Sequence, residues 1–490
     1  MTVLSFAVLL SVLSLVSGCV DDTDCILPDG QVGQCHLQKC IRQLDDNANE
    51  YLTFTIRVKY PESVLKIHGR TSLYIRGNGL GLLWTKGNQL SKTGHDTWDI
   101  NITYISSLDG YQCKFCLDKD YLPNKKLQYR VMADDLQDMI GANFAIHLPV
   151  SEVSSYFETV PVFSVYPWFF TYTGVIDSFV INSTNLGEEK NITLYTPPSF
   201  NENVYKTYPT VFVFDLNLEY AKSFKKKFED PIYPHAVAEE FVLIGFGDYT
   251  SNGRERVDLL TPSAGPALDC INGTLRDNCD GCIPEALSTN ITAFIKYLEE
   301  TCGKYYNKGG LGDNTLDFLE KEAFPTANQL TSTRLQKDNI GVMGYSLGGL
   351  MSCHAVWTRP DVYSFAACQS PSLWWPMNTF SHNVNDFDFL NKTLKNPIFQ
   401  TKRPEQRIYL DAGGAETPEP YSLTQTTVEA AHAISSFVHY ELNRNVWVAV
   451  DPNKNHSFVE WERRIGQALT TLLPAHGSKG MPSIDASPVG

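Results

Sequence analysis

The chain has 490 residues, enough for two or three domains because a single hydrophobic core usually stops growing at about 250 to 300 residues. With 43% hydrophobic, 12% aromatic and 19% charged residues, its composition is that of a globular protein and excludes a disordered or fibrous chain. The formal net charge of −15 argues against nucleic acid as a partner, because no excess of lysine and arginine is available to displace counterions from a polyanion.

The first residues are typical of a cleaved secretory signal. Residues 1–18 form an apolar run that ends in small residues, with Val16 and Gly18 at the −3 and −1 positions before Cys19. A bacterial lipoprotein box with a lipid on Cys19 is disfavoured, because the start has no lysine or arginine and the cysteine count would become odd. No later apolar stretch reaches ~18 residues, so we expect a secreted, extracellular protein without a membrane span.

The 12 cysteines fall into clusters of even size, which in an exported chain is typical of local disulfide bonds. The Cys-x-x-Cys pairs 113/116 and 279/282 resemble halves of zinc sites, but no ordered set of histidines accompanies them, so we predict no metal. The clusters are Cys19, Cys25, Cys35 and Cys40; Cys113 and Cys116; Cys270, Cys279, Cys282 and Cys302; Cys353 and Cys368.

Seven N-glycosylation sequons fit a eukaryotic secreted glycoprotein. One Asn-x-Ser/Thr tripeptide is weak evidence, but the set agrees with the signal and the cysteines. The asparagines are Asn101, Asn182, Asn191, Asn272, Asn290, Asn391 and Asn455.

Four segments of different pattern follow the signal. Residues 19–45 hold four cysteines and too little apolar sequence for a core, which predicts a small disulfide-rich segment. Residues 50–165 contain short alternating runs such as YLTFTIRVKY and predict an all-β sandwich. In residues 168–475 strands alternate with helices, which predicts an α/β domain with a mostly parallel central sheet covered on both faces. The polar residues 476–490 predict a disordered tail.

A Gly-x-Ser-x-Gly pattern at residues 344–348 makes Ser346 a candidate nucleophile. The pattern follows a strand-like run, IGVM, and precedes a helix-like segment, LMSCHAVW, and its small residues allow a sharp turn that points the serine hydroxyl outward. A serine in a glycine-rich corner is the alternative. The hydroxyl attacks an ester at neutral pH only with a histidine base, a carboxylate that orients the base, and N–H donors for the oxyanion.

The required order, serine then acid then histidine, restricts the partners. His456 lies in a loop between the strand-like VWVAVD and the helix-like VEWERRIG, where a base is expected, whereas His432 and His439 lie on one predicted helix. The strand RIYLDA and the loop after it offer Asp411 and Glu416 as the acid. The residues alone do not separate these two carboxylates.

Several separated stretches resemble, in the same order, the putative-esterase family, which includes enterochelin esterases, enzymes of the esterase D type and some feruloyl esterases. The resemblance covers roughly residues 170–475 and implies an α/β-hydrolase fold, serine esterase activity and no cofactor. The stretches are Tyr195-Thr-Pro-Pro198, Pro209-Thr-Val-Phe-Val-Phe-Asp215, Arg256-Val-Asp-Leu-Leu-Thr-Pro262, Phe318-Leu-Glu-Lys-Glu322 with Pro325, Gly344-Tyr-Ser-Leu-Gly-Gly349, Arg359-Pro-Asp361, Ser370-Pro-Ser-Leu-Trp-Trp375, and His456 with Trp461.

The resemblance also implies roles for particular residues. In this family the acid commonly lies in a Gly-x-x-acid loop after a strand, and Gly413-Gly-Ala-Glu416 is similar, which favours Glu416 over Asp411. The implied oxyanion donors are the amide of Leu347 and an amide near Leu216. At the second donor the chain departs from its relatives, which often have glycine there.

Residues 50–165 resemble, more faintly, a starch-binding type of β-sandwich. The stretch Ile75-Arg-Gly-Asn-Gly-Leu-Gly-Leu-Leu-Trp84, with Trp98 downstream, is similar to the signature Gly-x-x-x-x-Leu-Gly-x-Trp. Trp84 and Trp98 are therefore candidates for stacking on a sugar. The alternatives are that these rings fill a core, or that the sandwich only walls an active site.

The sequence thus predicts a secreted serine carboxylesterase with Ser346 as nucleophile, His456 as base and Glu416 as the orienting acid. The expected substrate is a small-molecule or glycan-linked ester, and no cofactor is required. Two alternatives stay open. One is a non-catalytic secreted glycoprotein of the extracellular matrix that binds glycans or polysaccharide on an esterase fold; the other is an acyltransferase.

Overall fold

The structure is a computed structural model. The predicted signal 1–18, Trp84 and the cysteines between 270 and 302 lie outside the residues that it describes. The described residues are 34–36, 39–41, 51–77, 81–83, 85–105, 111–117, 119, 144–146, 162–171, 173–229, 239–247, 256–264, 308–375, 388–397, 406–416, 423–437, 439–473 and 483–484.

The chain divides into two compact units. The first comprises Met1–Val131, Asn143–Pro167 and Ser483–Gly490, and the second comprises Met132–Ala142 and Trp168–Pro482. The division after residue 167 falls beside the point where the sequence changes from alternating strand-like runs to alternating strands and helices.

The described part of the first unit consists mainly of β-strands. It includes one helix, Glu62–Ile67, and a separate antiparallel pair, Gln34–His36 with Lys39–Ile41. That these sheets form a sandwich stays a prediction. Its four-stranded sheet has the order Val162–Val165, Tyr51–Lys59, Thr97–Ile105, Ser91–Gly94, and its five-stranded sheet the order Ser483–Ile484, Phe144–Ile146, Tyr111–Cys116, Tyr74–Gly77, Asn88–Gln89.

The strand Ser483–Ile484 lies in the tail that the sequence predicts to be disordered. It pairs in parallel with Phe144–Ile146, so the prediction of disorder is wrong for these two residues. The rest of 476–490 lies outside the described residues.

Trp98, a candidate for sugar stacking, is only 1% exposed. It lies opposite Val58 in an antiparallel pair of strands, and Phe54, Ile56 and Val58 on the partner strand are also buried. At this position the indole ring is buried with the apolar side chains of the sheet, and neither face of the ring is open to a sugar. Burial therefore favours the structural alternative for Trp98.

An eight-stranded mixed sheet forms the centre of the second unit, as the alternation of strands and helices predicts. Its order is β1-β2-β4-β3-β5-β6-β7-β8, in which β2 runs antiparallel to β1 and β4, and all other neighbours are parallel. The strands are β1 (Val175–Ser183), β2 (Glu188–Thr196), β3 (Tyr208–Phe214), β4 (Val242–Phe246), β5 (Leu335–Tyr345), β6 (Phe365–Gln369), β7 (Arg407–Gly413) and β8 (Val446–Asp451).

Along the chain, the described helices of this unit lie between its strands or after the last of them. Short 3₁₀ and π segments accompany them at Pro198–Asn201, Leu319–Ala323 and Asp388–Thr393. None of the described helices is long and apolar enough to cross a bilayer. The helices are α1 (Leu218–Glu229), α2 (Arg256–Leu259), α3 (Gly312–Phe318), α4 (Phe324–Leu330), α5 (Leu347–Thr358), α6 (Leu423–Ser435) and α7 (Phe458–Leu472).

Burial explains why the central strands read as continuous apolar runs. Every residue of β3, β4 and β6 is buried, because both faces of a parallel sheet are covered. Apolar side chains on the two faces form separate clusters; Phe212 and Val342 belong to one and Val213 and Met343 to the other. Two neighbours along the same strand therefore point to opposite cores.

Cys353 in α5 and Cys368 in β6 form a disulfide, with their Cα atoms 5.7 Å apart. This pair is one of the even cysteine clusters for which the sequence predicts local disulfide bonds. The bond ties the helix that follows Ser346 to the strand beside it.

The parallel strands determine where functional side chains meet. Because β3, β5, β6, β7 and β8 all point the same way, the residues after each of them gather at one edge of the sheet. Ser346 follows β5, Ser370 follows β6, Glu416 follows β7 and His456 follows β8. Residues far apart in sequence thus share one site.

Replacing Val342 by Ala should lower the free energy of unfolding by about 2 kcal/mol, because it removes buried methyl groups and leaves a cavity. Val342 is fully buried in β5, whereas Val180 in the edge strand β1 is 55% exposed. The same substitution at Val180 should change stability by less than about 0.5 kcal/mol. Urea titration of both variants measures the difference, and equal losses would contradict this placement of the core.

Candidate active site

Ser346 lies in a strained turn between β5 and α5. Its φ of 58° and ψ of −120° are unusual for a residue with a side chain, a feature often found at functional positions. Its amide donates to the carbonyl of Gln369 (3.0 Å), and its own carbonyl accepts from the amide of Ser372 (3.0 Å). A Cβ on Gly344 would lie 2.7 Å from the carbonyl of Gly348, so this close approach requires glycine.

Ser346, His456 and Glu416 form a continuous hydrogen-bonded chain. His456 Nε2 lies 3.1 Å from Ser346 Oγ, and His456 Nδ1 lies 3.0 Å from Glu416 Oε2. These residues are separated by 110 and 40 positions in the sequence. The geometry is that of a nucleophile, a base within reach of its proton, and a carboxylate that orients the base.

Glu416 lies in the short loop after β7. Its Oε1 accepts hydrogen bonds from the amide of Gly413 (2.8 Å) and from Ser370 Oγ (2.7 Å). Burial raises the pKa of Glu416, but hydrogen bonds from His456, Ser370 and the Gly413 amide outweigh burial and hold that pKa below its usual value. The carboxylate is therefore ionised in the folded protein at neutral pH.

His456 lies in the loop between β8 and α7, with 31% of its side chain exposed. The backbone of this loop packs on the acid loop, where the amide of Ala415 donates to the carbonyl of Lys454 (2.9 Å). The imidazole also contacts the Trp461 ring edge-on, with ring centroids 4.6 Å apart. The His456 imidazole is thus packed against protein on one side and partly exposed.

Asp411, the alternative acid, contacts a different partner. It is fully buried, and its Oδ1 accepts from Arg464 Nε (3.0 Å) while its Oδ2 accepts from Gln369 Nε2 (3.3 Å). Burial raises the pKa of Asp411 to about 6, although Arg464 and Gln369 lower it. The geometry therefore favours Glu416 as the partner of His456.

The predicted oxyanion donors belong to two segments, Leu347 directly after Ser346 and Leu216 in the loop after β3. Leu347 begins α5, so its amide is one of those that have no acceptor within the helix. Leu216 is buried and follows Asp215, whose φ is 63°. The role of both amides stays a prediction.

Arg256 connects the loop after β3 to the serine turn, a contact that the sequence reasoning missed. It donates two hydrogen bonds to Asp215, Nε to Oδ1 (2.6 Å) and Nη2 to Oδ2 (2.7 Å), and a third to the carbonyl of Tyr345 (3.1 Å). Arg256 was part of a family-like motif, but nothing in the sequence identified its partners. The ion pair fixes the Asp215 loop beside the residue that precedes Ser346.

Among the described residues no group of histidine, cysteine, aspartate or glutamate side chains is arranged to hold a metal ion. The sequon residues Asn101, Asn182, Asn191 and Asn455 are exposed. Asn272, Asn290 and the side chain of Asn391 lie outside the described part of the chain.

Residues 295–472 match the family model described as putative esterase. This confirms the resemblance that the sequence motifs predicted, over a region that contains Ser346, Glu416 and His456. The likeness of residues 50–165 to a starch-binding sandwich stays a prediction.

Among curated proteins, a siderophore triacetylfusarinine C esterase of Aspergillus fumigatus is 33% identical over 78 residues. The match covers 16% of this chain and 26% of that enzyme, so the chain matches about a quarter of its relative's length.

Three solved structures are among those similar to this chain. The BES protein from Bacillus cereus is 17% identical (TM-score 0.41, covering 61% of this chain and 96% of that one). The siderophore hydrolase EstB from Aspergillus nidulans is 15% identical (0.41, 62% and 96%). The enterobactin esterase FES from Shigella flexneri, in the presence of enterobactin, is 15% identical (0.38, 88% and 94%).

The raised pKa of Asp411 predicts a pH-dependent stability. Between about pH 4, near its ordinary pKa of 3.8, and about pH 6, the folded protein binds more protons at this site than the unfolded chain. The contribution of Asp411 to stability should therefore decrease as pH rises through this window, by about 1 kcal/mol per pH unit.

Urea unfolding of the wild type and of Asp411→Asn between pH 4 and pH 7 measures this contribution. The wild type should lose stability relative to the variant as pH rises. Asp338→Asn, at an exposed position, controls for the loss of one negative charge. A constant difference between wild type and Asp411→Asn would contradict the prediction.

Proposed function

We propose that this chain, whose residues 295–472 match the putative-esterase family, is a secreted serine esterase that hydrolyses a carboxylic ester. The observation that carries the proposal is the hydrogen-bonded chain Ser346–His456–Glu416, with distances of 3.1 Å and 3.0 Å. A non-catalytic glycan-binding protein would not require a serine in a strained turn that is hydrogen-bonded to a histidine, which is in turn hydrogen-bonded to a carboxylate.

The reaction would proceed through a covalent acyl-enzyme. Ser346 Oγ attacks the ester carbonyl carbon while its proton moves to His456 Nε2. The developing imidazolium keeps its Nδ1–H on Glu416 Oε2, which is ionised and so stabilises the positive charge. His456 then gives the proton from Nε2 to the departing alcohol oxygen. Water repeats the sequence against the acyl group and releases the carboxylic acid.

The negative charge on the carbonyl oxygen requires N–H donors that are fixed before reaction. We assign this role to the amide of Leu347, at the start of α5, and to that of Leu216. The Arg256–Asp215 pair supports this assignment because it restrains the loop that carries Leu216 and bonds the backbone before Ser346. Restraint of this kind lowers the reorganisation needed during the reaction.

The proposed substrate class is a carboxylic ester, either of a small molecule or linked to a glycan. The relative that acts on a siderophore matches only 16% of this chain. A panel of short p-nitrophenyl esters, a feruloyl ester and a hydroxamate siderophore ester would separate the classes. Preference for one class, measured as kcat/KM, identifies the acyl group.

Ser346→Ala should lower kcat on a p-nitrophenyl ester by at least about 1000-fold, because no other group supplies the nucleophile. His456→Ala should cause a similar loss. Ser332→Ala and His432→Ala are matched controls at exposed positions in the turn before β5 and in α6, and should retain wild-type rates. Unchanged hydrolysis by Ser346→Ala would overturn the assignment.

A fluorophosphonate probe separates this function from the binding alternative. The probe should label the wild type at Ser346 and leave Ser346→Ala unlabelled, since only an activated serine reacts. A wild type that stays unlabelled and binds insoluble polysaccharide would support the non-catalytic alternative.

Secretion is tested by expressing the full chain in a eukaryotic secretory cell. The secreted protein should begin at Cys19, and removal of N-glycans should lower its mass. Asn101→Gln and Asn455→Gln should each remove one glycan, because both asparagines are exposed. Retention of residues 1–18 in a cell-associated product would contradict this part of the proposal.

A further inference from the structure

Ser370 is the residue directly after β6, and its side chain contacts Glu416. Its side chain is fully buried. Its Oγ accepts hydrogen bonds from Trp461 Nε1 (2.9 Å) and Arg464 Nη2 (2.7 Å), and lies 2.7 Å from Glu416 Oε1. A hydroxyl has two acceptor positions and one proton, so two incoming donors leave the proton for Glu416.

We infer that Ser370 is a positioning residue that fixes the carboxylate of Glu416 for His456, an inference that rests on the proposed esterase function. Glu416 Oε1 accepts from Ser370 and from the amide of Gly413, with Arg464 Nη2 at 3.5 Å, whereas Oε2 accepts from His456 Nδ1. The two oxygens of one carboxylate thus have separate partners. Rotation of the carboxylate would break hydrogen bonds at both ends.

The backbone of Ser370 supports this role. Its φ is 41°, in the region that favours glycine, and its amide donates to the carbonyl of Asp411 (2.7 Å). A glycine would adopt this conformation at lower cost, yet the chain has a serine. A serine at a backbone position that favours glycine indicates that its hydroxyl group has a function.

The two donors to Ser370 come from one face of α7. Trp461 and Arg464 are three residues apart, so their side chains lie on the same side of the helix. The Trp461 ring contacts His456 edge-on and stacks on Tyr345 at 4.2 Å with an interplanar angle of 13°. One helix face therefore contacts His456 directly, and contacts Glu416 both through Ser370 and through the longer contact of Arg464 Nη2 with Glu416 Oε1 (3.5 Å).

Ser370→Gly tests the inference, because glycine removes the hydroxyl and suits the positive φ. We expect kcat for a p-nitrophenyl ester to fall about 10- to 100-fold, as for other small misplacements of catalytic groups. KM should stay within about twofold, since Ser370 is fully buried. Ser370→Ala, which removes the same hydroxyl without adding backbone freedom, should give the same result.

The decisive measurement is a double-mutant cycle with Glu416→Ala. If Ser370 acts only through Glu416, adding Ser370→Gly to Glu416→Ala should cause no further loss of kcat. A general structural role would instead give losses that multiply. Melting temperatures of all variants show whether each one is folded.

Ser332→Gly is the matched control. Ser332 also has a positive φ, 55°, but is exposed in the turn before β5, at the opposite end of that strand from Ser346. It should retain wild-type kcat.

The outcomes separate the two proposals. A wild type whose Ser346 does not react with a fluorophosphonate would overturn the esterase function and this inference with it. A labelled, active wild type for which Ser370→Gly keeps full kcat, or for which the losses in the cycle multiply, would overturn only the inference. Equal kcat of Glu416→Ala and the double variant, with a reduced kcat of Ser370→Gly, would support it.

Discussion

The hydrogen bonds between the Ser346 turn and the segment after β6 are the constraint on which the rest of the site depends. The amide of Ser346 bonds the carbonyl of Gln369, and the amide of Ser372 bonds the carbonyl of Ser346. These contacts hold the serine at a positive φ, and they also place Ser370 between the turn and α7. The same short segment thus contacts Ser346 through its backbone and Glu416 through the Ser370 hydroxyl, which fixes the relative position of the two residues.

The two buried carboxylates near Arg464, those of Asp411 and Glu416, have different surroundings. Asp411 and Glu416 both lie against Arg464, at 3.0 Å and 3.5 Å. Burial raises the pKa of Asp411 to about 6, whereas hydrogen bonds from His456, Ser370 and the Gly413 amide outweigh burial and keep the pKa of Glu416 low. Different surroundings thus give the two neighbouring carboxylates different main partners, Arg464 for Asp411 and His456 for Glu416.

The sequence predicted the alternation of strands and helices because the pattern of apolar residues reports burial, and it predicted Ser346 and His456 because each stands in a loop after a strand. It left Asp411 and Glu416 undecided until a family-like loop favoured the latter. It did not identify the contacts of Ser370, Arg464 or Arg256, because a serine after a strand or an arginine in a helix has no sequence pattern that names its partner. Trp98 was a candidate for sugar stacking, and its burial favours a core role.

What the sequence determined by itself is local: which segments are strands, which glycines permit a turn at Ser346, and the order along the chain of the candidate serine, carboxylate and histidine. Only the tertiary structure decided which side chains touch. Parallel strands bring residues 110 and 40 positions apart to one edge of the sheet, and the choice of Glu416 over Asp411 depends on which carboxylate faces His456 and which faces Arg464. The partner that each side chain meets depends on how strands and helices pack together, and no short stretch of sequence encodes that packing.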